Sequence, residues 1–253
     1  KGKLIDLNEP KVMGILNITP DSFYDKSRLR SKDDLLKRTE SMLSEGATFI
    51  DIGAYSSRPG AEFVSEEEER KRLIPALEII LKEFPDVLLS IDTFRSNIAI
   101  ETIDLGASMI NDISGGDMDA EMYDVVVNKQ VPYILMHMRG NPQNMSNLDN
   151  YNHLIIDIIS ELQVKVNYLQ KKGLNDIIID PGLGFAKDLL QNYEIVKELH
   201  SFKCIGHPLL IGASRKSMIY KLLECEPHNA LIGTTVVNTA CLLNGASILR
   251  VHD

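Results

Sequence analysis

Carboxylate and amide side chains stand at the ends of three short apolar segments, where they can bind a polar ring. Asp92 ends VLLSID, Asn111 lies in SMIND, and Asp180 ends IIID. A carboxylate beside apolar residues is costly unless it meets hydrogen-bond donors. Two carboxylates and an amide match a flat heterocycle rich in N–H donors, such as a 2-amino-4-oxo-pyrimidine ring. For any one of them taken alone, a helix N-cap or a loop salt bridge is the simpler interpretation.

Basic residues follow other apolar segments and suggest a bound phosphate. They are Arg58 in SSRPG, Lys216 in ASRKS, and Arg250 and His252 in RVHD. Arginine binds phosphate through two parallel hydrogen bonds, and lysine binds it as a point charge. Asn17 and Ser57 add neutral ligands, so the combined set predicts a substrate with a polar ring and a phosphate tail. A loop salt bridge for Arg58, a surface position for His252 and a structural role for Arg215 remain alternatives.

The metal signal is weak. The sequence has no HExxH motif, no CxxC motif and no closely spaced histidine pair. Asn17 offers one oxygen that can help hold Mg²⁺ on a phosphate, since Mg²⁺ usually binds through one or two protein oxygens together with substrate phosphates. His137 in LMHM is interpreted as a packing residue at a strand end. The segment GLGFAK after Asp180 is interpreted as a tight turn that its glycines permit.

The elements that must position these residues are eight apolar runs, each ending in polar residues. They read VMGILN, TFID, VLLSID, SMIND, PYILMH, IIID, PLLIGASRK and SILRVHD. Buried parallel strands read as near-continuous apolar runs, and strands that alternate with helices form parallel sheets. Eight such units in 253 residues predict a single (β/α)8 TIM-barrel domain over 1–253, with its chemistry at the carboxyl ends of the strands.

Helix signals occupy the intervals between these runs. Ser65 and Glu68 form a capping-box pattern, and Ser31 is expected to cap a helix that ends at Gly46. Further helices are predicted near 96–105, 119–129, 150–172, 188–200 and 227–244. The connections after the first two strands are long and are expected to be binding loops. The sequence stops directly after the eighth strand, so the eighth helix of a barrel is expected to be absent from it.

Composition narrows the class of protein. A net charge of −9 argues against a general nucleic-acid binder, and no apolar run is long enough for a membrane span. No export signal is visible, and the three cysteines lack metal-type spacing. We therefore expect a cytoplasmic protein with reduced cysteines and small-molecule substrates.

Eight segments, in this order, resemble dihydropteroate synthase, a pterin-binding TIM-barrel enzyme of folate biosynthesis. They are GILNITPDSF (14–23), DIGAYSSRPGA (51–61), IDT (91–93), INDISGG (110–116), LMHMRGNPQNM (135–145), DPGLGF (180–185), GASRKSMI (212–219) and RVHD (250–253). They span almost the whole chain. Each segment alone is a weak signal, but together they are highly specific.

The resemblance implies a reaction. The family joins 6-hydroxymethyl-7,8-dihydropterin pyrophosphate to p-aminobenzoate and releases pyrophosphate and 7,8-dihydropteroate; it is a target of sulfonamides. By position, the resemblance assigns the pterin to Asp92, Asn111, Met136, Asp180 and Lys216. It assigns the pyrophosphate to Ser57, Arg58, Arg250, Val251 and His252 with Asn17 and Mg²⁺, and the p-aminobenzoate side to Phe23, Asp25, Pro59 and Ser217. Catalysis is expected to depend on Asp92, Asp180, Lys216 and Arg250, and the resemblance also implies a homodimer.

Some residues depart from the family pattern. Tyr55 stands where the usual ESTRPG has an acid, and Leu183 and Ala186 stand where DPGFGFGK has Phe and Gly. None of these changes removes a proposed ionic group. Two alternatives share the fold: a pterin-binding methyltransferase that acts on a corrinoid protein, and a non-catalytic paralogue. The joint presence of SSRPG, SRKS and RVHD counts against the first, and the intact charged residues count against the second.

Overall fold

A parallel eight-stranded barrel forms the body of the computed structural model, which describes residues 4–18, 28–55 and 64–253, with backbone alone for 28–31. Its strands are β1 Lys11–Asn17, β2 Phe49–Gly53, β3 Leu88–Asp92, β4 Met109–Asp112, β5 Tyr133–Met136, β6 Ile177–Asp180, β7 Leu210–Ile211 and β8 Ile248–Val251. They are hydrogen-bonded in the order β6-β5-β4-β3-β2-β1-β8-β7. A parallel bridge between Ile179 and Leu209 joins the two edges. The predicted (β/α)8 fold is confirmed.

Helices fill the connections between the strands. They are α1 Arg28–Ser44, α2 Glu66–Glu83, α3 Ser96–Leu105, α4 Met122–Lys129, α5 Leu154–Lys171, α6 Leu189–Lys197, α7 Ser217–Tyr220 and α8 Leu231–Leu243. Ser65 caps α2 as predicted, because its side chain accepts a hydrogen bond from the Glu68 amide. The predicted cap at Ser31 is wrong, since α1 begins three residues earlier at Arg28. Leu29 and Arg30 are good helix formers and extend the helix toward its N-terminus.

The alternation of side chains along the strands explains where the site lies. One apolar cluster contains the inward residues Met13, Phe49, Met109, Ile134, Ile178, Leu210 and Ile248. Side chains two residues apart on a strand point to the same face. The residues two positions further toward the carboxyl end therefore face the barrel interior just above this cluster. They are Ile15, Asp51, Asn111, Met136, Asp180, Gly212 and Arg250.

A second and larger core lies between the barrel and its helices. Leu73, Leu77 and Ile80 of α2 are completely buried in it, together with Ile52 and Ile91 from the outward face of the strands. This packing fixes the strands, and through them the residues at the mouth. Among the described residues, no helix combines the length and the low polarity needed to cross a bilayer.

Candidate active site at the mouth of the barrel

An arginine between two carboxylates forms the floor of the site. Arg250 on β8 donates from Nε to Oδ2 of Asp51 at 2.6 Å and from Nη2 to Oδ2 of Asp92 at 2.7 Å. Asn111 on β4 donates from Nδ2 to the same Asp51 oxygen at 3.0 Å. The structure therefore brings together Asp92, Asn111 and Arg250, which were predicted separately from three strand ends.

Asp51 is a floor residue that has no predicted role in the site. It is completely buried on β2, two residues beyond Phe49. The signal was present, because Asp51 ends TFID in the same way that Asp92 ends VLLSID. Its role was missed because its partner, Arg250, is 199 residues away in the chain.

Burial sets the protonation of these groups. Desolvation raises the pKa of Asp92 to about 7, against the opposing attraction of Arg250. Burial also disfavours the charge of Arg250, but Asp51 and Asp92 together hold the pKa of its guanidinium above the ordinary value. The floor therefore keeps one firm positive charge and one carboxylate that titrates near neutral pH.

The opposite side of the mouth is formed by Asp180 and Lys216. Burial raises the pKa of Asp180, and the nearby Lys216 ammonium opposes that rise. Oδ1 of Asp180 accepts a hydrogen bond of 2.8 Å from the Gly182 amide, which fixes the carboxylate at the end of β6. Lys216 donates to the Leu183 carbonyl, and burial lowers the pKa of its ammonium to about 8.

An apolar wall adjoins these polar groups. Lys216 Nζ lies 4.6 Å from the centre of the Phe185 ring, in the range of a cation–π contact. Phe185 belongs to a buried apolar cluster that contains Phe94, Ile113, Met136, Met138, Met145, Phe185 and Ala186. The role of Met136 as a wall of the pterin site stays a prediction. Carboxylates and an amide beside apolar side chains suit a flat ring with N–H donors on its edge.

The residues predicted for the phosphate side are partly described. His252 follows β8, and both its main-chain nitrogen and Nδ1 lie near Oγ of Ser214, at 3.2 and 3.0 Å. Ser217 is exposed at the start of α7, next to Lys216. Arg215 binds the Asp253 carboxylate, which supports the structural alternative for it.

The side chain of Val251 does not face the mouth of the barrel. It alternates with Arg250 and His252 along β8, and it is buried in the core between the barrel and the helices. Its side chain therefore packs away from the mouth, and contact between Val251 and a substrate stays a prediction. Five other predicted residues lie outside the described part of the chain: Phe23, Asp25, Ser57, Arg58 and Pro59.

The protein oxygens at the mouth fit a metal ion that binds together with a substrate phosphate. Within residues 4–18, 28–55 and 64–253, no group of three or more His, Cys, Asp or Glu side chains is placed to hold a metal ion. Asn17, exposed at the end of β1, offers a single neutral oxygen at the mouth. One protein oxygen suits Mg²⁺ that keeps phosphate and water as its other ligands.

The fold and the floor define a (β/α)8 barrel with a site for a flat polar ring that carries an anionic group. Residues 13–252 match the model of a family described as pterin binding enzyme. The chain belongs to this family and, within it, to the dihydropteroate synthases.

The similarity extends over nearly the whole chain. Dihydropteroate synthase of Synechocystis sp. is 42% identical over 245 residues, which cover 96% of this chain and 84% of that protein. A crystal structure of Yersinia pestis dihydropteroate synthase with a sulfonamide drug complex shares 40% identity and a TM-score of 0.92, covering 100% of this chain and 92% of that one. Folic acid synthesis protein fol1 of Pneumocystis carinii is 44% identical over 250 residues, and this chain spans 34% of its length.

Proposed function

We propose that this chain condenses 6-hydroxymethyl-7,8-dihydropterin pyrophosphate with p-aminobenzoate, giving 7,8-dihydropteroate and pyrophosphate. The observation that carries the proposal is the joined floor of Asp51, Asp92, Asn111 and Arg250, facing Asp180 and Lys216 across the mouth. Both acceptors for the ring and cations for its leaving group are thereby placed at one barrel end.

The pterin ring binds through its polar edge. Its amino and ring N–H groups donate to the carboxylates of Asp92 and Asp180 and to the amide oxygen of Asn111. Lys216 contributes a donor to the ring acceptors from the other side. Asn111 and Asp180 are buried, Asp92 and Lys216 are partly buried, and each is held by a neighbour, so little reordering is needed when the ring enters.

Pyrophosphate departure begins the reaction. The C–O bond to the pterin methylene breaks, and the electron pair leaves with the pyrophosphate oxygen. Ser57, Arg58, Arg250 and His252 bind the departing group, and Asn17 would hold Mg²⁺, which would neutralise phosphate charge. Asp92 and Asp180, in their ionised forms, favour the pterin-stabilised cation that remains.

The arylamine completes the reaction. The amino nitrogen of p-aminobenzoate attacks the methylene carbon and forms the C–N bond, and its proton then passes to the released pyrophosphate or to water. No strong protein base is required, because the carbon is already electron-poor. Phe23, Asp25, Pro59 and Ser217 form the p-aminobenzoate side, where the two long loops exclude water from the cation. We place the enzyme in the cytoplasm, as a homodimer of single pterin-binding domains.

Product formation tests the proposal directly. Pyrophosphate release is measured with Mg²⁺, with and without p-aminobenzoate, while dihydropteroate is detected in the same samples. Release coupled to dihydropteroate is expected. Lys216→Ala and Asp180→Ala should lower turnover without unfolding the barrel, as checked by circular dichroism. A folded wild-type chain that forms no dihydropteroate would refute the proposed activity.

A further inference from the structure

Three charged or polar side chains connect α5 to the loop that follows Asp180. Glu161 on α5 meets His137, which follows β5, with 3.0 Å between Oε2 and Nε2. The other ring nitrogen, Nδ1 of His137, lies 3.0 Å from Nζ of Lys187, before α6. His137 is only 3% exposed, so water does not replace these partners. The mechanism above uses none of the three residues.

The ionisation of Glu161 fixes the tautomer of the histidine. The hydrogen bond from His137 leads the causes that lower the pKa of Glu161 to about 2, so its carboxylate is ionised at neutral pH. Burial lowers the pKa of His137 to about 4, so its ring is neutral. An ionised carboxylate can only accept, and Nε2 must therefore carry the proton. Nδ1 is left with its lone pair and accepts from Lys187.

Lys187 connects the His137 ring to the loop that borders the proposed pterin site. Its Nζ also donates to the Phe185 carbonyl at 2.8 Å. The same loop supplies the Gly182 amide that binds Asp180 and the Leu183 carbonyl that accepts from Lys216. The position of this loop therefore affects the carboxylate and the ammonium that face the ring.

The charge of Lys187 also acts on Asp180. The charged and titratable groups around Lys187 are Asp180, Lys216, Glu161, Arg139 and the neutral His137 ring, with Tyr151 stacked against Arg139. Burial lowers the pKa of Lys187 to about 7, and Asp180 and Glu161 support its charge. The Lys187 ammonium in turn favours the ionised form of Asp180.

We propose that Glu161, His137 and Lys187 form a positioning relay that holds the loop from Pro181 to Lys187 and favours the charged form of Lys187 behind Asp180. Glu161 touches no substrate in this arrangement; it also pairs with Arg139, and it acts on Lys187 through His137. The relay sets affinity for the pterin ring and leaves the p-aminobenzoate side unchanged. This inference rests on the proposed function, because it assigns Asp180 to the pterin.

A double-mutant cycle with Glu161→Gln and Lys187→Met tests the relay. Calorimetry with 6-hydroxymethylpterin measures ring binding near neutral pH, and steady-state kinetics give KM for each substrate. Each single change is expected to weaken pterin binding and raise the KM for the pterin substrate about tenfold, the scale of one charge-assisted hydrogen bond. The KM for p-aminobenzoate should stay within about twofold. The double variant should lose no more than the weaker-binding single variant, since both changes break one path.

Glu101→Gln is the matched control. Glu101 binds Arg70 on the outer helices at 2.7 Å, so this variant loses a glutamate charge away from the site and should bind pterin like wild type. Nitrogen NMR of the His137 ring should show the neutral Nε2–H tautomer in wild type and a mixture in Glu161→Gln.

Three results would overturn the relay: single variants that bind pterin like the control, losses that multiply in the double variant, or an Nδ1–H tautomer in wild type. Failure of the proposed function is distinct from these. If the wild-type chain binds the pterin but makes no dihydropteroate, the proposed reaction is refuted, and the binding data still test the relay. If the wild-type chain binds no pterin, both the proposed function and the proposed effect of the relay on the site are refuted.

Discussion

Arg250 and Asp51 form a partly buried ion pair across one intervening strand of the barrel. Nε of Arg250 lies 2.6 Å from Oδ2 of Asp51, and the aspartate side chain is completely buried. The same guanidinium reaches Asp92 on β3 at 2.7 Å. Two carboxylates therefore hold the Arg250 guanidinium in place, and the proposed function requires that a phosphate meet a guanidinium that is already oriented.

Asp51→Asn should damage both stability and activity. The change preserves shape but leaves the buried Arg250 cation with Asp92 as its remaining charged partner. We expect a loss of about 2 kcal/mol in unfolding free energy, because a largely buried cation that loses one of its two hydrogen-bonded carboxylates is less well compensated. Misplacement of Arg250 should lower kcat/KM about a hundredfold. Denaturant titration and steady-state kinetics measure the two effects.

Asp104→Asn is the comparison for that variant. Asp104 pairs with Lys129 on the surface, where its side chain is 58% exposed. Exposed pairs contribute little, so stability and kcat/KM should stay close to wild type. Equal behaviour of the two variants would contradict a special role for Asp51.

The sequence predicted the barrel well because its signals are local. Apolar runs that end in polar residues mark each strand and its carboxyl end, and Asp92, Asn111, Asp180 and Arg250 all lie on the predicted rim. Pairing within the rim was not predictable. Arg250 meets Asp51 only because closure of the barrel brings β8 beside β1. No local pattern carries that information.

His137 shows the same limit. Its predicted interpretation as a buried strand-end residue is confirmed, since it is 3% exposed. Its partners Glu161 and Lys187 lie 24 and 50 residues further along the chain. A single sequence shows the histidine but not the two groups that fix its tautomer.

Gly182→Ala should disturb Asp180 through a steric clash. Gly182 has φ +72, and an added Cβ would lie 2.0 Å from the His137 carbonyl oxygen. The loop must shift to relieve this contact, and the amide that binds Asp180 moves with it. We expect a loss of stability well above the ~1 kcal/mol of a left-handed alanine alone, together with weaker binding of 6-hydroxymethylpterin.

Gly206→Ala separates backbone strain from the clash. Gly206 has φ +80, but nothing lies within 4 Å of an added Cβ. Denaturant titration should therefore show only the backbone cost, with pterin affinity unchanged. The clash would be ruled out if Gly182→Ala were no more destabilising than Gly206→Ala.

Ala186→Gly should stabilise the protein. Ala186 stands where the family pattern has glycine, and its φ of +49 lies in the left-handed region. Relief of that strain is partly offset by the loss of a buried methyl, about 0.8 kcal/mol, and by the extra freedom of glycine in the unfolded chain, so we expect a gain of at most about 0.5 kcal/mol. Thermal unfolding measures it. An unchanged or lower Tm would show that the loop tolerates alanine without strain.

Pterin affinity should fall as the pH falls through 7. Burial raises the pKa of Asp92 to about 7, and protonated Asp92 no longer accepts freely from the ring. Because ring binding favours the ionised form, Kd should rise up to about tenfold for each pH unit below that value. Calorimetry with 6-hydroxymethylpterin at a series of pH values measures this dependence.

Folding stability responds to Asp92 with the opposite sign. The folded chain holds the Asp92 proton more tightly than the unfolded chain, whose value is near the ordinary 3.8. The contribution to stability is therefore present below pH 3.8 and is lost as the pH rises through about 7. Asp92→Asn should remove this contribution and bind pterin weakly, without a step in Kd near pH 7. A wild-type affinity that stays constant across neutral pH would show that Asp92 does not accept from the ring.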